Sequence, residues 1–119
     1  MPASLQVTPA GATVALSVAQ SATSATITSL VPVCSYYISN SSSNPVQFNL
    51  NPSVMPTAVF ATPGSNQLGI ILGSQDDIVV NIPAALTTAT QNGFVTSINV
   101  SAISLTGTNL VYIIPVQIN

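Results

Sequence analysis

The sequence predicts an all-β fold: a single antiparallel β-sandwich or barrel, immunoglobulin-like or jelly-roll-like, with little or no helix. Nine Pro and six Gly divide the 119 residues into short segments. The segments between them are rich in Val, Ile, Thr, Phe and Tyr, which favour strands. Several segments alternate apolar and polar residues, as a strand with one buried face does. The length fits one domain, so residues 1–119 are predicted to form one sandwich.

The first thirty residues are simpler in composition than the rest and are rich in Ala, Ser, Thr and Val. Alternation over 13–18 and over 25–28 predicts two short strands there. We expect residues 1–30 to form either outer strands of the sandwich or an extended arm.

The clearest alternation is in the segment that follows Pro45. Val46, Phe48 and Leu50 are expected to face the core, while Gln47 and Asn49 face solvent. Two later segments, 78–82 and 98–102, show the same pattern. The residues predicted to lie in the core are Val46, Phe48, Leu50, Val80, Ile82, Ile98 and Val100.

Towards the C-terminus the alternation changes phase and then resumes. Ile103 and Leu105 fall on the opposite parity, which predicts a bulge or a stretch buried on both sides. The last predicted strand runs over 110–118. Its residues Tyr112, Ile114, Val116 and Ile118 share one face.

The predicted connections are polar or contain Pro and Gly. Turns are expected at 40–45, 62–66 and 106–109. The segment 83–93 is readable either as a helical turn or as a long connection.

The chain contains no Lys, Arg or His, and its only charged side chains are those of Asp76 and Asp77. General acid–base catalysis and an activated Ser or Cys both need a titratable neighbour that this chain does not supply. We therefore predict no enzyme, no catalytic residue and no cofactor. Asp76 and Asp77 could join a calcium site with backbone carbonyls, but a polar turn is the favoured interpretation, so no metal is predicted.

Nucleic acid and membrane partners are excluded as well. Phosphate binding depends on Lys and Arg, and no apolar run approaches the roughly 20 residues of a membrane-spanning helix. The N-terminal residues lack the pattern of a signal peptide. Cys34 is expected to be a small buried residue, and the glycosylation sequons at Asn40 and Asn99 are interpreted as chance.

Residues from about 33 to 116 resemble the small accessory β-sandwich proteins in the heads and necks of tailed bacteriophages. The resemblance rests on the order of local patterns, which are YYISNSSSNP, VQFNL, TPGSN, DIVVNIPA and SINVSAISLTGTNLVYIIPV. The low charge departs from that family, many of whose members carry ordinary numbers of Lys and Glu, and the N-terminal third falls outside the resemblance.

The resemblance implies a non-catalytic structural protein of the virion, assembled in the host cytoplasm. The leading expectation is a capsid decoration or cement protein that binds other virion proteins, above all the major capsid protein, and copies of itself. The alternatives are a carbohydrate- or receptor-binding module of a tail or head fibre, and a neck or tail component. Tyr36 and Tyr37 face opposite sides of a strand, so one of them is a candidate sugar-binding residue.

A chain without cations must attach through apolar burial and neutral hydrogen bonds. Edge strands present unpaired backbone groups that proteins often guard with Lys or Pro, and this chain has no Lys. We expect either the N-terminal segment 5–8 or the C-terminal strand 112–118 to pair with a neighbouring subunit. The predicted interface residues are Leu5, Val7, Tyr112, Ile114, Val116 and Ile118.

Overall fold

A computed structural model describes residues 7–60, 69–82 and 93–118, and it confirms the all-β fold as two antiparallel sheets packed as a sandwich. In those ranges the chain forms no helix, so none there is long and apolar enough to cross a membrane. The strands are β1 (Val7–Pro9), β2 (Val14–Val18), β3 (Thr23–Val33), β4 (Ser35–Asn40), β5 (Val46–Asn51), β6 (Ile70–Leu72), β7 (Asp77–Asn81), β8 (Val95–Ser104) and β9 (Asn109–Ile118).

The strands pair as one long antiparallel ribbon that is rolled up. β2 pairs with β9, β3 with β8, β4 with β7 and β5 with β6. Rolling this ribbon places β9 beside β4 and β8 beside β5. The result is a five-stranded sheet, the β9 sheet, in the order β1/β2–β9–β4–β7, and a four-stranded sheet, the β8 sheet, in the order β3–β8–β5–β6.

This pairing is that of a jelly roll. In an immunoglobulin sandwich strands A, B, E and D form one sheet, whereas here the chain changes sheet between β2 and β3, between β3 and β4, and again between β4 and β5. Of the two sandwich types that the sequence left open, the topology therefore selects the jelly roll.

Within the predicted segment 1–30, residues 14–18 and 23–30 belong to the strands β2 and β3 of the sandwich. β2 and β3 each occupy the edge of a sheet, and Leu16, Val18 and Ile27 are buried in the core. The Thr23 hydroxyl donates to the Ser17 carbonyl at 3.1 Å, which ties the two edges together on one side of the sandwich.

The core lies between the inner faces of the two sheets, and the predicted core residues are found there. Val46, Phe48, Leu50, Ile98 and Val100 are buried. Ile82 is also buried, and Val80 is partly buried and packs against the cluster.

Gln47 was predicted to face solvent, and that prediction is wrong because a loop covers its side of the sheet. The segment 52–60 crosses the outer face of the β8 sheet, where the Ala58 amide donates to the Ser101 hydroxyl at 2.9 Å. Gln47 is buried there, and its Nε2 donates to the Val59 carbonyl at 2.9 Å. Gly69, at φ +148°, packs closely against the Gln47 side chain. A Cβ at position 69 would lie 2.6 Å from Gln47 Nε2.

Of the two alternatives for the change of phase, β8 shows no bulge, but residues 100–104 are buried or partly buried on both sides. The register of β8 with β5 continues through Ser104, which stays on the inner face. Ser104 is tolerated there because Asn109 Nδ2 donates to its hydroxyl at 2.8 Å. The irregularity lies in β3, between Thr28 and Val33.

Several other predictions concern single residues or short segments. Cys34 is partly exposed rather than buried. Asn40, the first residue of one sequon, is buried and held by hydrogen bonds, so it is no glycosylation acceptor in the folded protein. The predicted turn at 62–66 lies outside the described residues, as does nearly all of the segment 83–93.

Tyr36 is fully buried, and its hydroxyl has no hydrogen-bond partner within the described ranges. Burial, assisted by the nearby Cys34 side chain, raises the pKa of Tyr36 to about 12. Removing a buried hydroxyl that makes no hydrogen bond also removes its desolvation penalty, so Tyr36→Phe is expected to leave stability unchanged or raise it by about 1–3 kcal/mol. Urea denaturation measures the effect. A loss above about 1 kcal/mol would show that the hydroxyl is bonded.

Candidate functional site

The prediction that the C-terminal strand is a free edge is wrong, because β9 lies inside its sheet. Residues 109–113 pair with β2 and residues 116–118 with β1, while residues 111–116 pair with β4 on the other side. Both sides of β9 are thus occupied by neighbouring strands. Apolar alternation could not reveal this, since central and edge strands bury their inner faces alike.

The prediction for the N-terminal segment 5–8 can be compared with the structure only in part. Leu5 lies outside the described residues, but Val7 belongs to β1, which is an outermost strand of the β9 sheet. Val7 pairs with Ile118 in the antiparallel ladder that joins β1 to β9.

Tyr112, Ile114 and Val116 share one face of β9 in the register, but they differ in exposure. Val116 is buried, so it cannot contact a partner. Tyr112 is 37% exposed and Ile114 is partly exposed, on the outer face of the β9 sheet.

Tyr36 and Tyr37 confirm the expectation that only one of them lies in the core. Tyr36 points inward, and Tyr37 is partly exposed on the outer face. In the register of the sheet, Tyr37 lies between Ile114 and Val79. The next row outward places Ser39 between Tyr112 and Asp77. We call this surface the tyrosine face; it comprises Tyr37, Ser39, Asp77, Val79, Leu110, Tyr112 and Ile114.

A pocket of about 320 Å³ adjoins the tyrosine face, and it is the candidate binding site. Two turns form its rim, and hydrogen bonds tie them together. The Asn40 amide donates to the Asp76 carbonyl at 2.8 Å, and the Gln75 amide donates to the Ser42 carbonyl at 3.0 Å. The pocket is lined by Tyr37, Ser39, Asn40, Ser41, Gln75, Asp76 and Asp77.

The two carboxylates occupy different environments, which corrects the interpretation of both as residues of one solvated turn. Asp76 is exposed in the turn, and its Oδ1 accepts from the Asp77 amide at 2.9 Å. Asp77 begins β7, is partly buried, and accepts a hydrogen bond from the Tyr37 hydroxyl. That hydrogen bond, together with burial and the negative charge, raises the pKa of Tyr37 to about 12.

This arrangement offers aromatic rings, hydroxyls, an amide and two carboxylates to a ligand. In the described part of the chain, no three His, Cys, Asp or Glu side chains cluster as metal ligands do.

The opposite outer face, on the β8 sheet, has a different character. Ser24, Thr26 and Thr28 on β3 lie beside Ser97 and Asn99 on β8, and all five side chains are polar and neutral. The β3–β8 part of this outer face is therefore polar, whereas the outer face of the β9 sheet is aromatic and apolar around Tyr37 and Tyr112.

A second cleft, of about 420 Å³, lies where β3 turns into β4. Cys34 and the exposed Phe94 line it, and the Ser35 hydroxyl donates to Asn81 Oδ1 at 2.6 Å on its wall. Sequence reasoning missed this cleft because Phe94 and Cys34 are 60 residues apart in the numbering.

In comparisons with known proteins, no family model matches the chain and no curated protein matches its sequence.

Proposed function

We propose that the protein is a non-catalytic structural component of a bacteriophage virion, a decoration or cement protein bound to the major capsid protein and to copies of itself. The observation that carries the proposal is a single jelly roll whose strand edges have almost no charge. Jelly rolls occur in viral capsid proteins and in lectins. Fold alone does not decide function, so the argument depends on the edges.

Except for Asp77 on β7, the edge strands carry none of the charged residues with which proteins usually block strand pairing. β1, β2 and β3 lie at edges on one side, and β6 and β7 at edges on the other. The only charged side chains, those of Asp76 and Asp77, lie at the start of β7. An extended segment of a partner could therefore add to a sheet, with main-chain bonds supplying affinity.

β3 is the edge that best fits this role. It is 11 residues long, and residues 23–28 keep an unbroken register with β8. Beyond that stretch the edge is covered, since the Leu30 amide donates to the Ala10 carbonyl at 2.7 Å. Among the described residues, no strand pairs with the outer edge of the stretch 23–28.

Thr26→Lys tests the edge, because a Lys on an edge strand disfavours pairing with another strand. Thr26 is exposed on β3, while Ser97 is exposed on the same outer face but on the interior strand β8. With particles that lack the protein, Thr26→Lys is expected to weaken attachment at least about tenfold. The matched control Ser97→Lys is expected to attach like wild type.

Salt gives a second measurement in the same experiment. Attachment through backbone bonds and apolar contacts should survive from low salt to about 1 M NaCl, since screening acts on exposed charges. Equal attachment of both Lys variants, or release by moderate salt alone, would contradict the proposed edge.

Copy number separates the decoration protein from the alternatives. Quantitative mass spectrometry of purified virions is expected to find copies in a fixed ratio near that of the major capsid protein. A few copies per particle would instead indicate a neck or tail component or a receptor-binding module of a fibre. Absence from virions would contradict the proposal as a whole.

A further inference from the structure

We propose that the tyrosine face and its adjoining pocket bind a neutral saccharide. This inference goes beyond the structural role, and it does not depend on where in a particle the protein sits.

The aromatic residues supply the stacking surface that the apolar face of a sugar ring needs. Tyr37 and Tyr112 lie on adjacent strands in neighbouring rows of one sheet face. Diagonal neighbours of this kind are about 7–8 Å apart, and both side chains are solvent-accessible. Ile114, next to Tyr37 in its row, extends the apolar floor.

The pocket supplies hydrogen-bonding groups beside these rings. One Asp77 oxygen accepts from Tyr37, and a carboxylate has further lone pairs for sugar hydroxyls. Bonds from hydroxyls to a carboxylate are stronger than those between neutral groups. Asp76, Gln75 and Ser39 line the same pocket and add acceptors and donors.

The charges of the site select a neutral ligand. Both charged side chains of the chain line this pocket, and both are negative. No Lys, Arg or His exists to bind a carboxylate, sulfate or phosphate group. An anionic glycan would therefore meet like charges without a cationic partner, which disfavours it.

The polar part of the outer face of the β8 sheet, on β3 and β8, serves as an internal comparison. It carries hydroxyls and amides at Thr26, Thr28 and Asn99, but no aromatic side chain lies among the outward-facing residues described on its strands. If hydroxyl groups alone sufficed for binding, this face would bind sugar equally well. The proposal requires the rings and the carboxylate together.

Affinity electrophoresis of the purified protein through gels containing dextran, mannan or galactan tests the proposal, with alginate as the anionic probe. Wild type is expected to be retarded by at least one of the three neutral polysaccharides and not by alginate. Tyr112→Ala and Asp77→Asn are each expected to weaken that retardation at least about tenfold. Tyr112→Phe, which keeps the ring, should retain most of it, and Thr28→Ala on the polar face should match wild type.

Circular dichroism and urea denaturation of each variant separate lost binding from lost folding. No retardation of wild type by any of the three neutral polysaccharides would overturn the proposal. Stronger retardation by alginate, a requirement for calcium, or unchanged binding by folded Tyr112→Ala would also overturn it. If folded Tyr112→Ala instead failed to attach to particles while sugar binding persisted, the tyrosine face would be a protein interface. Because the affinity electrophoresis contains no particles, the absence of retardation by the neutral polysaccharides would not contradict the proposed role in the virion.

Discussion

Phe48→Ala is expected to lower the free energy of unfolding by about 3–5 kcal/mol. Phe48 is 1% exposed and belongs to the hydrophobic core cluster. On β5 it is paired with Ala102 of β8 on one side and with Ile70 of β6 on the other. Because Ala102 is small, little of its side chain could fill the cavity that the ring leaves. A domain of this size has about 5–15 kcal/mol of stability in total, so the loss is a large share.

The chain offers a matched control in Phe94, which is 52% exposed. Phe94→Ala removes the same ring from a surface position and is expected to change stability by less than about 1 kcal/mol. Urea denaturation followed by circular dichroism measures both variants. If Phe48→Ala does not fold, Phe48→Leu keeps the test open, since it leaves a smaller cavity and should cost less. Similar small losses for Phe48→Ala and Phe94→Ala would contradict the assigned core.

The faces of several strands were predictable because the side-chain period of a strand is two. Val46, Phe48 and Leu50 alternate with polar residues, and burying the apolar set fixes the register of β5 against its neighbours. The same reasoning placed Ile98 and Val100 correctly. These predictions depend only on residues close together in sequence.

The errors arose where residues far apart in sequence meet. Gln47 is buried because the segment 52–60 folds back over its sheet. β9 is not a free edge because it is flanked by β4 and by β1, the latter more than 100 residues earlier in the chain. Alternation reports which side chains share a face, but not which strands are central or which faces are covered.

In the candidate site, too, features that depend on neighbouring residues were predictable from the sequence, whereas features that depend on strand pairing were not. The sequence established that Tyr36 and Tyr37 face opposite sides, and it marked Asp76 and Asp77 as the only charged side chains. It could not place Tyr37 beside Asp77, because that contact depends on the β4–β7 register. Nor could it place Tyr112 in the next row, which depends on the pairing of β4 with β9.

Asn40→Ala is expected to destabilise the fold by about 3 kcal/mol, since it leaves several buried backbone groups without partners. Asn40 is 1% exposed. Its Nδ2 donates to the Asn44 carbonyl at 2.8 Å and to the Gly73 carbonyl at 3.0 Å, with the Leu72 carbonyl at 3.4 Å. Its Oδ1 accepts from the Ser42 hydroxyl at 2.6 Å and from the Ser42 amide at 3.1 Å. One side chain thus joins the β4–β5 turn to the β6–β7 turn.

Asn49→Ala is the matched control, because Asn49 is partly exposed and its side chain makes no hydrogen bond to any described residue. It is expected to cost less than about 1 kcal/mol. Asn40→Asp tests the donor separately from the acceptor, because it keeps an oxygen for Ser42 but turns a carboxylate towards backbone carbonyls. At neutral pH it is expected to lower the free energy of unfolding at least as much as Asn40→Ala does. Urea denaturation compares the three variants.

Since the same two turns form the rim of the pocket, Asn40→Ala should also weaken saccharide binding, even where the protein remains folded. Wild-type stability of Asn40→Ala would show that the two turns are held together by other contacts, and that the rim does not depend on this side chain.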